Sequence, residues 1–197
     1  SLRTWLAVGA HPRLRFILIA TMAWCAGHFT VLGYLTPALR SAFQASGPQQ
    51  AWIMGLMGMS GLAGSVLLSV FVHRVGADRA ARMALGLIGA GLFAWALVLA
   101  WWTSLTAAAV AIIVWGLGNF AFVSAQQARL AQTAPELASP SIALNSSSLY
   151  AGQALGATLG GALVGLSGYG WLGPAGVGLV ALAWALSWAA DRPRSPA

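Results

Sequence analysis

His28 is the one histidine of this sequence set deep inside a long apolar run. An imidazole in such a place can bind a ligand, carry a proton, or bond a backbone carbonyl. Thr21 and Trp24, seven and four residues earlier, fall on the same helical face. A second polar set lies far along the chain. Trp115, Asn119, Phe122, Gln126 and Arg129 are separated by four, three, four and three residues, which aligns them on one side of a helix. An asparagine and a glutamine in such apolar surroundings must hydrogen-bond to protein, water or ligand. Two readings stay open for this stripe: glue between helices, or the wall of a solvated path.

Other patterns resemble chemistry and fail on inspection. Gly58-Met59-Ser60-Gly61 matches the G-x-S-G serine motif of intramembrane rhomboid proteases. That dyad needs a histidine on a helix after the serine one. His28 precedes Ser60, and His73 follows at the end of the same apolar run. Asn145-Ser146-Ser147 matches a glycosylation sequon but falls near the cytoplasmic end of its run, where no glycan is added. Cys25 is the single cysteine, so no intrachain disulfide or thiol metal site forms. No acid pair, metal cluster or phosphate loop is present. The sequence reads as a non-enzyme without a cofactor.

The elements that hold these residues are set by composition. Of the 197 residues, 59% are hydrophobic and 7% charged. A soluble domain carries about 25% charged residues, so lipid replaces water around this chain. The net charge of +7 comes from ten Lys+Arg against three acids, and every one of the ten is arginine. The arginines punctuate apolar runs and form no basic-aromatic surface, which excludes nucleic acid as a partner. Arginine without lysine, with abundant alanine and glycine, fits a bacterial source.

About 20 apolar residues cross a hydrocarbon core of about 30 Å. Six spans result, at residues 16–39, 50–72, 83–102, 105–128, 141–166 and 171–190. Residues 1–15 read as a cytoplasmic segment and 191–197 as a cytoplasmic tail. Arg3, Arg13, Arg15, Arg74, Arg79, Arg82, Arg129, Arg192 and Arg194 then share one side, and Arg40 stands alone on the other. The positive-inside rule makes the arginine side cytoplasmic, with both termini inside a bacterial inner membrane. Pro37, after Thr36, is expected to kink or end the first helix.

Small residues mark two helices as packing faces. Ser148, Gly152, Gly156 and Gly160 recur every four residues in the fifth span, and Gly61, Ser65 and Ser69 in the second. Small residues let backbones approach where lipid supplies no hydrophobic drive. Glycine-rich helices at matching places in two triplets suggest a three-plus-three repeat, as many transporters have.

Four stretches together resemble the C-terminal six-helix half of a major facilitator superfamily transporter, of the drug or sugar efflux antiporter type. They are GHFTVLGYLTPAL (27–39), WIMGLMGMSGLAGSVLLSVFVHRVGADRAAR (52–82), WGLGNFAFVSAQQARLAQTAPELA (115–138) and ALNSSSLYAGQALGATLGGALVGLSG (143–168). The resemblance implies an all-α fold, a 3+3 inverted repeat that forms half of the transporter. It implies that the first and fourth helices line a substrate cavity, with His28, Tyr34, Trp115, Asn119, Phe122 and Gln126 as candidates. It implies that the second and fifth helices face the other half through Gly61, Ser65, Ser148, Gly152, Gly156 and Gly160. The family's basic loop, roughly G-x-x-x-D-R-x-G-R-R, matches Arg74 and Gly76, with Arg79 and Arg82 following. Ser69 and His73 replace its glycine and aspartate, which puts charge-relay gating there in doubt. The chain starts at Ser1, not Met, and reads as processed or as a piece of a longer protein. The implied partners are the bilayer, a small-molecule substrate, and a missing N-terminal half or a second copy. The implied driving force is a proton gradient. A non-transporting scaffold or a small homodimeric transporter is the alternative.

Overall fold

The computed structural model of the protein describes residues 2–102 and 104–191. These residues form eight α-helices and two 3-10 turns, with no strand among them. The helices are α1 (Leu2–Ala10), α2 (Pro12–Leu32), α3 (Leu35–Phe43), α4 (Gly47–Val75), α5 (Ala77–Trp101), α6 (Leu105–Thr133), α7 (Ala138–Ser167) and α8 (Leu172–Asp191). With α2 and α3 taken as one broken span, six are long and apolar enough to cross a membrane.

Local chemistry explains the boundaries. Pro12 stands in the first turn of α2, where its missing N–H costs nothing, and His11 Nδ1 accepts the Leu14 N–H at 3.3 Å. Ser46 and Gln49 form a capping box at the start of α4, so the Ser46–Pro48 segment begins a helix as well as ending the previous one. Ser104 caps α6 through Ala107. The helices overrun most of the predicted spans, α4 by three residues at each end. Apolar runs report hydrocarbon thickness, and 29 residues at 1.5 Å each reach about 44 Å, well past a core of about 30 Å.

Three local features refine the predicted spans. Most of the segment before the first predicted span is helical, as α1 and the start of α2, and Val8 is fully buried in a cluster with Leu14, Ile17 and Leu130. The first span breaks at Gly33 and Tyr34, one turn before Pro37. Proline has no N–H for the carbonyl four residues back, and its ring crowds that carbonyl, so the disruption falls upstream. The basic segment is no loop either. α4 and α5 are joined by Gly76 alone, whose φ of +80° suits a residue without Cβ. Arg192, Arg194 and the tail after Asp191 lie outside the described residues.

The packing has a two-fold pattern. α2 packs mainly against α7 and α8, α6 packs mainly against α4 and α5, and α5 meets α8 between them. Each triplet's first helix is therefore embraced by the last two helices of the other triplet. Consecutive helices α4–α5 and α7–α8 barely touch. Trp95, Trp115 and Phe122 fill the core with Ile88, Leu92 and Ile112. α2 is the most enclosed span, and α4 and α7 are the least.

The small-residue faces serve this internal packing. A Cβ on Gly152, Gly156 or Gly160 would strike the carbonyl of Met22, Ala26 or Thr30 on α2. Ser148, half-buried, continues the row. Gly61 lies under the Phe120 ring, Gly64 against the Leu117 backbone, and the Ser65 and Ser124 hydroxyls share a hydrogen bond of 3.3 Å. The expectation that these faces meet another half is corrected: they bind α7 to α2 and α4 to α6. The opposite sides of α4 and α7, with Trp52, Met59, Leu62, Tyr150 and Leu155, are exposed.

Candidate functional site

A cavity of about 470 Å³ opens among α2, α4, α6 and α7. Its walls include Trp24, His28, Asn119, Phe120, Tyr150 and Gln153. Asn119 and Gln153 stand at the centres of α6 and α7, and His28 at the centre of the broken α2–α3 span. The cavity therefore lies near mid-membrane depth. The volume is in the range of small-molecule sites, about 300–1,000 Å³.

Aromatic rings frame the histidine. His28 lies 5.0 Å from Phe29 and 5.1 Å from Trp115, both edge-on, and 5.9 Å from Trp24 in a stacked arrangement (all ring-centroid distances). Trp24 leans on Phe122 at 4.8 Å. Within this apolar frame, His28 Nδ1, Trp24 Nε1 and Asn119 Oδ1 are buried without a hydrogen-bond partner. An unpartnered buried polar atom costs about 1–3 kcal/mol, and three of them belong to residues that line this one cavity.

The polar stripe of α6 divides between its two readings. Asn119 faces the cavity. Gln126 is fully buried and acts as glue: its Nε2 donates to Thr21 Oγ1 at 2.8 Å and Ile17 O at 3.1 Å. Trp115 and Phe122 are also fully buried and stand behind the cavity wall. Tyr34 is not a cavity residue. Its hydroxyl donates to Ala157 O at 2.9 Å and its ring covers Gly160, so it seals the α2–α7 seam. Replacing it, Tyr34→Phe, is expected to cost about 1 kcal/mol of stability, read as a lower thermal midpoint, with ligand affinity unchanged.

Ser60, the serine of the G-x-S-G match, donates its hydroxyl to Met57 O at 3.0 Å and nests against Gly116. Among the described residues no histidine hydrogen-bonds to it, and no group of three His, Cys, Asp or Glu could hold a metal ion.

A charged cluster that sequence reasoning missed closes one end of the bundle. Arg129, with its side chain fully buried, donates from Nε to Asp78 Oδ1 at 2.7 Å and from Nη2 to Asp191 Oδ1 at 3.0 Å. Its Nη1 reaches Gln126 Oε1 at 2.8 Å and Ser187 Oγ at 2.9 Å. Arg13 adds a 2.7 Å contact to Asp78. Arg82 pairs with Asp191 and lies 4.3 Å over the Trp188 ring. Three guanidinium groups and two carboxylates thus tie α2, α5, α6 and α8 together. Arg82 is a member of this cluster, whereas Arg74 and Arg79 stand exposed beside Gly76. A signal did exist: of three acids in the chain, two lie at arginine-rich helix ends.

No family model matches the chain. Curated proteins similar to it include two that are each named "Probable sugar efflux transporter". One, from Helicobacter pylori strain G27, is 27% identical over 175 residues, which is 88% of this chain and 44% of that protein. The other, from strain HPAG1, is 28% identical over 176 residues, with the same shares. The chain spans less than half the length of these curated relatives.

Proposed function

We propose that the chain is one half of a secondary active transporter of the major facilitator type. The proposed activity is export of a small hydroxylated molecule such as a sugar by alternating access. The observation that carries this reading is the cavity at mid-membrane depth, where His28 Nδ1, Asn119 Oδ1 and Trp24 Nε1 lack partners among aromatic rings. Sugar hydroxyls supply the missing hydrogen bonds, and the C–H faces of a sugar ring stack on Trp24 and Phe120. The name of the relatives supports the substrate class. The two-fold packing supports an inverted repeat, around which transporter halves rock. Exposed Gln153 and Tyr150 favour a protein partner beyond the cavity, because polar side chains at membrane depth avoid lipid. In this reading the arginine-rich end faces the bacterial cytoplasm. Proton coupling falls to His28 or to the other half.

The test is efflux of labelled sugars from cells or vesicles carrying the complete protein. His28→Ala and Asn119→Ala each remove a hydrogen bond to the substrate and should cut transport about five- to tenfold at normal membrane levels. Wild-type transport by both variants would sink the assignment.

A further inference from the structure

We infer that the cleft between α4 and α5 is a binding site for one anionic phospholipid. The cleft exists because Gly76 turns the chain in a single residue and the two helices then diverge. The space between them, about 370 Å³, is walled by Leu67, Phe71 and Val75 of α4 and by Met83 and Leu87 of α5, with Ala121 of α6 at its floor. It is almost wholly apolar, and Leu67, Phe71, Met83 and Leu87 are exposed. From Gly64 to Val75 it runs about 17 Å at 1.5 Å per residue, close to half of a hydrocarbon core of about 30 Å. That is the depth of one leaflet, so the groove suits an acyl chain.

The charge at its mouth selects the headgroup. Arg74 continues the Leu67–Phe71 row of α4 by one turn, and Arg79 continues the Met83–Leu87 row of α5 by one turn. Both are exposed, and neither has an ion pair or hydrogen bond among the described residues. The adjacent acid, Asp78, is held by Arg13 and Arg129 and leaves Arg79 uncompensated. An apolar slot one leaflet deep under two free guanidinium groups matches a phosphate-bearing lipid of net negative charge. This site needs the chain to lie in a bilayer and does not depend on what the chain transports.

Native mass spectrometry of the purified chain, with phosphatidylglycerol or phosphatidylcholine of identical acyl chains, tests the inference. Each headgroup contact is worth about five-fold, so Arg74→Gln with Arg79→Gln should weaken phosphatidylglycerol binding about 25-fold. Arg15→Gln with Arg40→Gln, which loses the same charge elsewhere, should leave it unchanged. Met83→Trp, which fills the groove, should weaken binding with the arginines intact. All five substituted positions are exposed, and thermal midpoints check that the variants fold. The site is refuted if the Arg74/Arg79 variant binds within about two-fold of wild type. It is equally refuted if the Arg15/Arg40 variant loses as much, if phosphatidylcholine binds as tightly, or if Met83→Trp has no effect. A wild-type chain that pairs with a second copy and carries no lipid refutes it as well.

Discussion

Arg129→Ala is expected to destabilise the bundle more than any other single loss of charge. The side chain is fully buried and donates to two carboxylates, an amide oxygen, a hydroxyl and a carbonyl on α5, α6 and α8. Removing one partner of a buried ionic cluster costs about 3–5 kcal/mol, because the remaining charges stay out of water. Two features favour the low end of that range. Asp78 keeps Arg13 and is 38% exposed, and Asp191 keeps Arg82. A loss of about 3 kcal/mol should lower the thermal midpoint in detergent by roughly 6–12 °C for a chain of this size. Arg129→Lys should recover only part of it, since one ammonium cannot replace a fork that bridges both acids. A midpoint within a degree or two of wild type for Arg129→Ala would show that the cluster contributes little.

Gly156→Leu is the second large effect. The Cβ it introduces falls on the Ala26 carbonyl, a backbone atom of a helix packed on both sides. Neither α2 nor α7 can yield locally, so the seam must open along its length. Overpacking of this kind costs about 1–3 kcal/mol or more, and backbone contact places this site at the top of that range. Gly165→Leu, on the same helix, makes the comparison sharp. A Cβ there meets open space, and leucine favours helix over glycine by about 0.8 kcal/mol. That variant should be neutral or slightly more stable. Equal thermal midpoints for the two leucine variants would contradict the close approach.

These effects bear on what a sequence can reveal. The six spans were legible because hydrocarbon thickness imposes a length on every crossing, whatever its neighbours. The face shared by Asn119 and Gln126 was legible too, since helical periodicity assigns a side. Periodicity does not say what that side meets. Asn119 meets a cavity, while Gln126, two turns on, meets Thr21 and Arg129. The same gap hid the charged cluster. Arg129 reads as the residue that stops a span, and its acids lie 51 and 62 positions away with no local pattern to link them. Glycine spacing identified the seam of α7 but not its partner, because a smooth face fits any backbone that comes close enough. The break at Gly33 was displaced from Pro37 by the reach of the backbone hydrogen bond.

The exchange of partners between triplets has a consequence for biosynthesis. α3 ends at Phe43 and α7 begins at Ala138, so 94 residues separate the first span from the helix that grips it. At about 5–20 residues per second, a ribosome needs roughly 5–20 seconds to supply that partner. During this interval the nascent first span holds Thr21, His28 and Thr30 in the membrane without α7 or α8 beside it. The later α6 faces no such wait, since α4 and α5 are already made when it emerges. Assembly of this protein is therefore lopsided in time, although its finished architecture is nearly symmetric.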